Sequence, residues 1–491
     1  MENSDVYRLM TRAADISSVK ANWIDRYVES PISFWCDLYA PRKLADTLDL
    51  FQKHLFETGQ EHQDEITEEE YPGAIQRSFE TEEDGFAMTI ELMAVGVQSI
   101  KNMPLLCKPD GMEGRPDILM RTDESASAFG EYGYRIVEIK SAIRIRESHK
   151  LQAAFYNRLL GLVQEYEPPE FYIVNGAGEV STLESTEFDD SLDETLAEIR
   201  KIIGGTPVEP CHGAGKWPWE SYINNLAVEK NDVSLIPDIG PAKRRDLVAF
   251  GFSTVDEVAK AELGELVQVK GIANVTGSKM LTSALAINQA NPVRRVPTPE
   301  LLTGRTEVFF DFEGTDPRLN AEGLPVVNYL IGAVYRSLDN RPEYKAFFAQ
   351  SFEDEGRNLG EFINWAVSLD DPVFYHWHHY EKTHLLKMAE YHGIEPALLA
   401  SFVDRMVDLH PWATKTFAFP SYSEGLKGIA AALNFSWRQE DVTGLTSVAL
   451  YLAYVSSGSS DEESKEKILV YNEDDCLATM HIFDWIRLQV G

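Results

Sequence analysis

Apolar and polar positions along this chain change rhythm in a way that predicts strands and helices in two separate regions. In the first, "DILMR" (117–121) and "YRIVEIK" (134–140) read as strands, "SHKLQAAFYNRLLGLVQEY" (148–166) as a helix and "EFYIVN" (170–175) as another strand. Strand, strand, helix, strand predicts a mixed sheet with a covering helix. In the second, "EVFFDFEG" (307–314) and "VVNYLIGAVYR" (326–336) read as strands, and "ILVYNEDDCLATMHIFDWIRLQ" (468–489) as a closing helix. Between them, "LIPDIGPAKRRDLVAFGFST" (235–254) and "LVQVKGIANVTGSKMLTSAL" (266–285) share one pattern of helix end, glycine-containing hairpin and new helix. "SSGSSDEESKEK" (456–467) reads as a polar loop.

Two Pro-rich or polar breaks, "HGAGKWPWESY" (212–222) and "NQANPVRRVPTPE" (288–300), divide the chain. The expected fold class is α/β multidomain: domains at 1–210 and 305–491, a small all-α module at 231–290, and linkers at 211–230 and 291–304. Within the module, Gly240 and Gly271 would permit tight turns that leave amides free at a helix N-terminus. Such amides can hold a phosphate without reading a base. Lys243, Arg244, Arg245 and Lys279 add a local basic concentration.

Composition narrows the function. The 491 residues are 44% hydrophobic and 25% charged, the balance of a globular protein. No apolar run approaches the roughly 18 residues of a membrane span. The opening "MENSDVYRLM" lacks a signal-peptide pattern, so a cytoplasmic location without a membrane partner is expected. Cys36, Cys107, Cys211 and Cys476 form no CxxC pair, which fits a reducing compartment. A net charge of −34 argues against coating nucleic acid by bulk charge, but not against cutting it at carboxylate metal sites. The histidines lack HExxH spacing, and "GAGKW" lacks the first glycine and the Ser/Thr of a P-loop.

In "RIVEIKSAIR", Glu138 and Lys140 share one face of a strand, and Asp117 opens the strand-like run before it. An Asp and a Glu on neighbouring strands can share a hard divalent cation, and a nearby lysine can hold the attacking water. Gln152 and Tyr156 lie four apart, on one helix face. Pro116-Asp117, Glu138-Ile139-Lys140, then Gln152 and Tyr156, with His62 upstream, resemble the RecB-type branch of the PD-(D/E)XK nucleases, which includes CRISPR-associated nucleases. The resemblance implies a restriction-endonuclease-like mixed sheet. It also implies metal binding by His62, Asp117, Glu138 and the Ile139 carbonyl, with Lys140 catalytic and Gln152 and Tyr156 supporting the site and the DNA strand. Many relatives hold an iron–sulfur cluster on one early and three late cysteines. Here only Cys211 follows the Gln152–Tyr156 helix in this domain, so no cluster is expected and Cys36 reads as a small buried apolar residue.

Near the C-terminus, Asp311 and Glu313 share a strand face, Tyr471 and Asp475 share a helix face, and Glu381 follows an apolar run. Carboxylates converging on one point repel each other unless a cation binds, and two Mg²⁺ or Mn²⁺ ions would serve in-line phosphodiester hydrolysis. This arrangement resembles the DEDD exonucleases of the RNase H-like fold, in the form with a tyrosine in the last motif. The resemblance implies that Asp311, Glu313, Glu381 and Asp475 ligate metal and that Tyr471 orients water. Glu381 stands where that family usually has Asp. "SYSEGLKGIA" (421–430) is similar to another stretch of these domains and places Lys427 near the site; Asp408 reads as a substrate or supporting residue.

The three-part order resembles a family of bacterial RecB-like nucleases, in which tandem helix-hairpin-helix motifs separate the two nuclease domains. The expectation is a Mg²⁺- or Mn²⁺-dependent deoxyribonuclease with two sites flanking a DNA-binding module. RNA substrates and a helicase partner stay open, as does a DNA-binding scaffold whose nuclease sites are inactive.

Overall fold

The computed structural model describes residues 3–48, 52–53, 71–316, 326–337, 341–439 and 442–489. The chain forms two compact units, the first ending at Asn224 and the second running on from Asn225.

The first unit is built on a five-stranded sheet in the order Ser99–Lys101, Ile118–Thr122, Gly133–Ile139, Glu170–Val174, Val180–Glu184. Gly133–Ile139 pairs antiparallel with Ile118–Thr122 and parallel with Glu170–Val174. That parallel step needs a crossover, and the Glu147–Gln164 helix supplies it. The helix buries Leu151, Phe155, Leu159 and Val163, an apolar stripe at helical spacing. The Ala21–Glu29 helix joins the same core through Ala21 and Ile24.

The stretch expected as a linker at 211–230 packs instead, up to the unit boundary, onto the first unit's own helices. Trp219 is fully buried with Ile32, Cys36 and Ile223, and its indole donates to Asp37 Oδ1 at 2.7 Å. Burying so large an aromatic outweighs the local Pro and Gly content that reads as a break. Cys36 lies in this cluster, where burial pushes its thiol up to about 12, as a small core residue behaves.

In the second unit, the Pro241–Phe250 and Asn274–Gln289 helices each follow a tight turn and share one core with Val233, Leu235, Leu266 and Ile272. Gly240 caps the first helix, and Gly271 turns with φ +78°, a region that favours glycine. The rest is a second five-stranded sheet in the order Glu343–Phe348, Asn328–Ser337, Thr306–Gly314, Pro372–His376, Met406–Asp408. Its central strand, Thr306–Gly314, is covered on both faces, with Val308, Phe310 and Phe312 in one core and Phe309 in the other. The Glu462–Leu488 helix closes the domain. It begins inside the stretch expected as a polar loop. Asp461 caps it by accepting from Ser464 N, Glu462 and Glu463 sit in its first turn, and Lys465 and Lys467 pair back onto them. Among the described residues no helix is long and apolar enough to cross a membrane.

Candidate active sites

Adjacent strands bring the first group of residues together. Asp117 immediately precedes Ile118–Thr122, and Glu138 lies near the end of the neighbouring strand with its side chain buried. The Asp117 amide donates to Glu138 Oε1 at 3.1 Å, and the Ile139 amide donates to Asp117 Oδ2 at 2.7 Å. Lys140 extends the strand, its amide donating to the Val174 carbonyl. Its ammonium donates to Glu138 Oε2 at 3.1 Å and to Gln152 Oε1 at 2.7 Å. Gln152 therefore aims Lys140 from within. Tyr156, one turn further along that helix, is buried, and Gly114 makes room for it: a Cβ there would sit 2.7 Å from the ring. His62 lies outside the described residues.

The electrostatics fit a cation site. Burial, then the charge of Glu138, pushes Asp117 up to about 8. Burial opposes the Lys140 ammonium, yet Glu138 and Asp117 outweigh it and hold its pKa above the ordinary value. Asp25, on the Ala21–Glu29 helix, adds a further negative field at Lys140, and among the described residues its buried Oδ1 has no hydrogen-bond partner. Nothing in the spacing of the sequence pointed to Asp25.

In the second unit the central strand presents Asp311 and Glu313 toward the Glu462–Leu488 helix, which supplies Asp475. Ligand oxygens of these three lie within 4.8 Å of one another. Each carboxylate is held by a neutral group. Asn472 Nδ2 donates to Asp311 Oδ2 at 2.9 Å, Trp437 Nε1 donates to Asp475 Oδ1 at 2.7 Å, and Ser447 Oγ lies 3.2 Å from Glu313 Oε2. Ser447 is itself 2.8 Å from the Tyr329 hydroxyl, whose ring stacks on Tyr451.

Glu381 stands in the first turn of the Tyr380–Tyr391 helix, where its charge helps to raise the Asp311 pKa. Its Oε2 is buried without a hydrogen-bond partner among the described residues, 3.4 Å from His376 Nδ1. That nitrogen lies 2.7 Å from the His378 carbonyl, and burial lowers the His376 pKa. Glu381 is not one of the three carboxylates whose oxygens converge; its orphaned oxygen lies on the His376 side. Asp408 supports this corner by accepting from the amides of His378 and His410 at 2.9 and 3.0 Å.

Burial pushes Glu381 up to about 8 and Asp475 up to about 6. Asp311 and Glu313 are held well above the usual carboxylate range, by burial and then by their neighbours' charges. Carboxylates so crowded are unfavourable unless protonated or neutralised by a cation, and their oxygen-only donor set suits Mg²⁺ or Mn²⁺. Burial, then the Glu313 charge, holds the Tyr471 phenol well above its usual range. Lys427 lies with its ammonium 4.6 Å from the Tyr471 ring centroid.

The basic residues of the helical module meet protein acids. Arg244 pairs with the buried Asp232, Nε to Oδ1 at 2.9 Å and Nη2 to Oδ2 at 2.6 Å. Lys279 donates to Asp238 and Glu424, both at 2.7 Å, and Lys243 to the Asp238 carbonyl at 2.8 Å. The local basic concentration is thus partly matched by acids of the protein, and the buried Asp232 needs Arg244 as its counter-charge. The turns at Gly240 and Gly271 are exposed.

Asn472, Trp437, Ser447 and His376 are also absent from the residues that motif spacing selects. Asn472 was legible in part, as the neighbour of Tyr471 in "YNEDD"; the others come from distant segments. A comparison with curated proteins gives no match. The family model RNase_H_2, of the RNase_H superfamily, matches residues 308–487, the span that carries Asp311, Glu313, Glu381, Tyr471 and Asp475. This part of the chain matches an RNase H-like superfamily domain, which suggests a nuclease-type function.

Proposed function

We propose that the chain is a metal-dependent nuclease with two hydrolytic sites, one RecB-type and one DEDD-type, acting on DNA in repair, recombination or defence. The observation that carries the reading is the convergence of Asp311, Glu313 and Asp475 inside a domain of the RNase H superfamily. Mg²⁺ or Mn²⁺, when bound, would neutralise the carboxylates, polarise the scissile phosphate and make its water more acidic.

The protein groups divide the remaining work. Asp311, Glu313, Glu381 and Asp475 would hold the ions of the second site, with Asn472, Ser447 and Trp437 fixing which carboxylate oxygens face outward. Tyr471 stays a protonated phenol at neutral pH, so its hydroxyl can orient the attacking water for 3′-to-5′ exonuclease action. Lys427 offsets charge developing on the phosphate. In the first site Asp117, Glu138, the Ile139 carbonyl and His62 would hold the ion, and Gln152 steers the Lys140 ammonium toward the water. The tandem hairpins grip the DNA backbone through the turns at Gly240 and Gly271, beside Lys243.

End-labelled single-stranded, duplex and RNA–DNA hybrid substrates, incubated with Mg²⁺ or Mn²⁺, test this. Lys140→Ala and Asp311→Ala should each abolish a different activity, on the order of 100-fold or more, and the double variant should lose both. Binding without cleavage by the wild type would replace the nuclease with a scaffold. Cleavage confined to hybrids or RNA would reassign the substrate.

A further inference from the structure

A cavity of about 250 Å³ opens in the first unit beside Tyr156. Leu105, Leu106 and the Tyr156 ring give it apolar walls. The hydroxyl end of the same ring lies in the field of Glu138 and Asp117, the carboxylates of the proposed cation site.

The rim carries two cations, each with an acidic partner. Lys20 Nζ is 3.9 Å from Glu113, and Arg115 Nε donates to Glu82 at 3.1 Å. Paired in this way, the rim offers little net attraction to a phosphate and suits a neutral polar ligand. Asn22, exposed at the mouth on the Ala21–Glu29 helix, adds an amide that can both donate and accept. The volume falls below the roughly 300–1,000 Å³ of pockets for drug-sized ligands, which leaves room for one heteroaromatic ring system. Of the parts of a nucleic-acid strand, the base alone is neutral, flat and polar-edged at that size.

We infer that this cavity takes a single unstacked nucleobase of the strand being cut at Asp117 and Glu138, with Tyr156 as part of its wall. The inference rests on the nuclease reading of the first site and deepens it by naming a substrate class: strands with an unpaired base near the scissile bond. An intact duplex must first give up a base from its stack, so single strands and frayed ends are preferred. An aromatic wall accepts any base, so no strong sequence preference accompanies this.

The test uses the full chain and oligonucleotides carrying 2-aminopurine at the 5′ end, the 3′ end or an interior position. Fluorescence is read on binding to the Lys140→Ala, Asp311→Ala double variant, and cleavage is read in the otherwise unaltered chain. Asn22→Trp plugs the mouth from an exposed position, and Lys20→Trp does so from another exposed position should the first disturb folding. One labelled position should change fluorescence on binding. Either plug should remove that change and lower Lys140-dependent cleavage of single strands about tenfold, with Asp311-dependent cleavage unaffected. Fluorescence and Lys140-dependent cleavage both unchanged by the plugs would overturn the pocket and leave the nuclease reading standing. If the unaltered chain shows no Lys140-dependent cleavage on any substrate, the reading of the first site fails and takes the pocket with it.

Discussion

Asn472 illustrates how one neutral residue organises charged ones. It is fully buried, donates to Asp311 Oδ2 and accepts from the Tyr344 hydroxyl at 2.9 Å. Its seat exists because Gly332, directly opposite Asp311 on the next strand, has no side chain. A Cβ there would lie 1.6 Å from Asn472 Oδ1, an overlap that no rotamer change at position 332 can relieve. Gly332→Ala should therefore cost about 1–3 kcal/mol by overpacking. It should also lower Asp311-dependent cleavage beyond what the loss of folded protein explains, because Asp311 loses its fixed orientation. Urea unfolding and cleavage per folded molecule check the two parts. A variant with wild-type stability and activity would mean that Asn472 has another seat. A glycine inside the apolar run "YLIGAVY" hinted at close approach, but the partner, 140 residues downstream, could not be read from it.

Elements were legible where local pattern and tertiary demand agree. The strand that follows Asp117, the strands bearing Glu138 and Asp311, the helix with Gln152 and Tyr156 and the turns at Gly240 and Gly271 all follow from periodicity or turn chemistry. What escaped was decided at a distance: the buried Trp219 that draws 211–224 into the first unit, and the cap that starts the last helix at Glu462 within an apparently loop-like run. The basic helix at 241–250 belongs with these cases, since only the fold reveals Asp232 beneath Arg244. Arg244→Ala would strand a buried carboxylate, which typically costs about 3–5 kcal/mol. The Arg244 side chain keeps 15% exposure, so the lower end of that range is expected in urea unfolding. Were Arg244 chiefly a phosphate contact, stability would hold, and instead the salt dependence of DNA binding would become shallower by about one ion.

At the scale of the whole molecule, two buried acidic clusters sit in a chain of net charge −34, and both make the ion-free protein sensitive to pH. Asp117 and Glu381 are raised to about 8 and Asp475 to about 6, so between pH 4 and 8 the folded state binds protons that the unfolded chain has released. Stability must then fall as pH rises through that window, with the full penalty present above the folded pKa values. Surface repulsion acts in the same direction, since the acidic surface gains charge as its carboxylates ionise. Salt separates the two: at 0.1 M the screening length is about 10 Å, which weakens exposed charges far more than buried ones. In EDTA with 0.5 M KCl, melting temperature should still decline from pH 5 to 8. Millimolar Mn²⁺ should recover much of the loss, because a bound cation replaces the protons. Asp311→Asn should raise the melting temperature in EDTA at pH 8 and reduce the Mn²⁺ effect, removing one charge from the second cluster and leaving the first intact. A flat profile in EDTA and high salt would mean that these carboxylates are relieved by groups of the protein itself, and the case for metal at either site would lose its electrostatic basis.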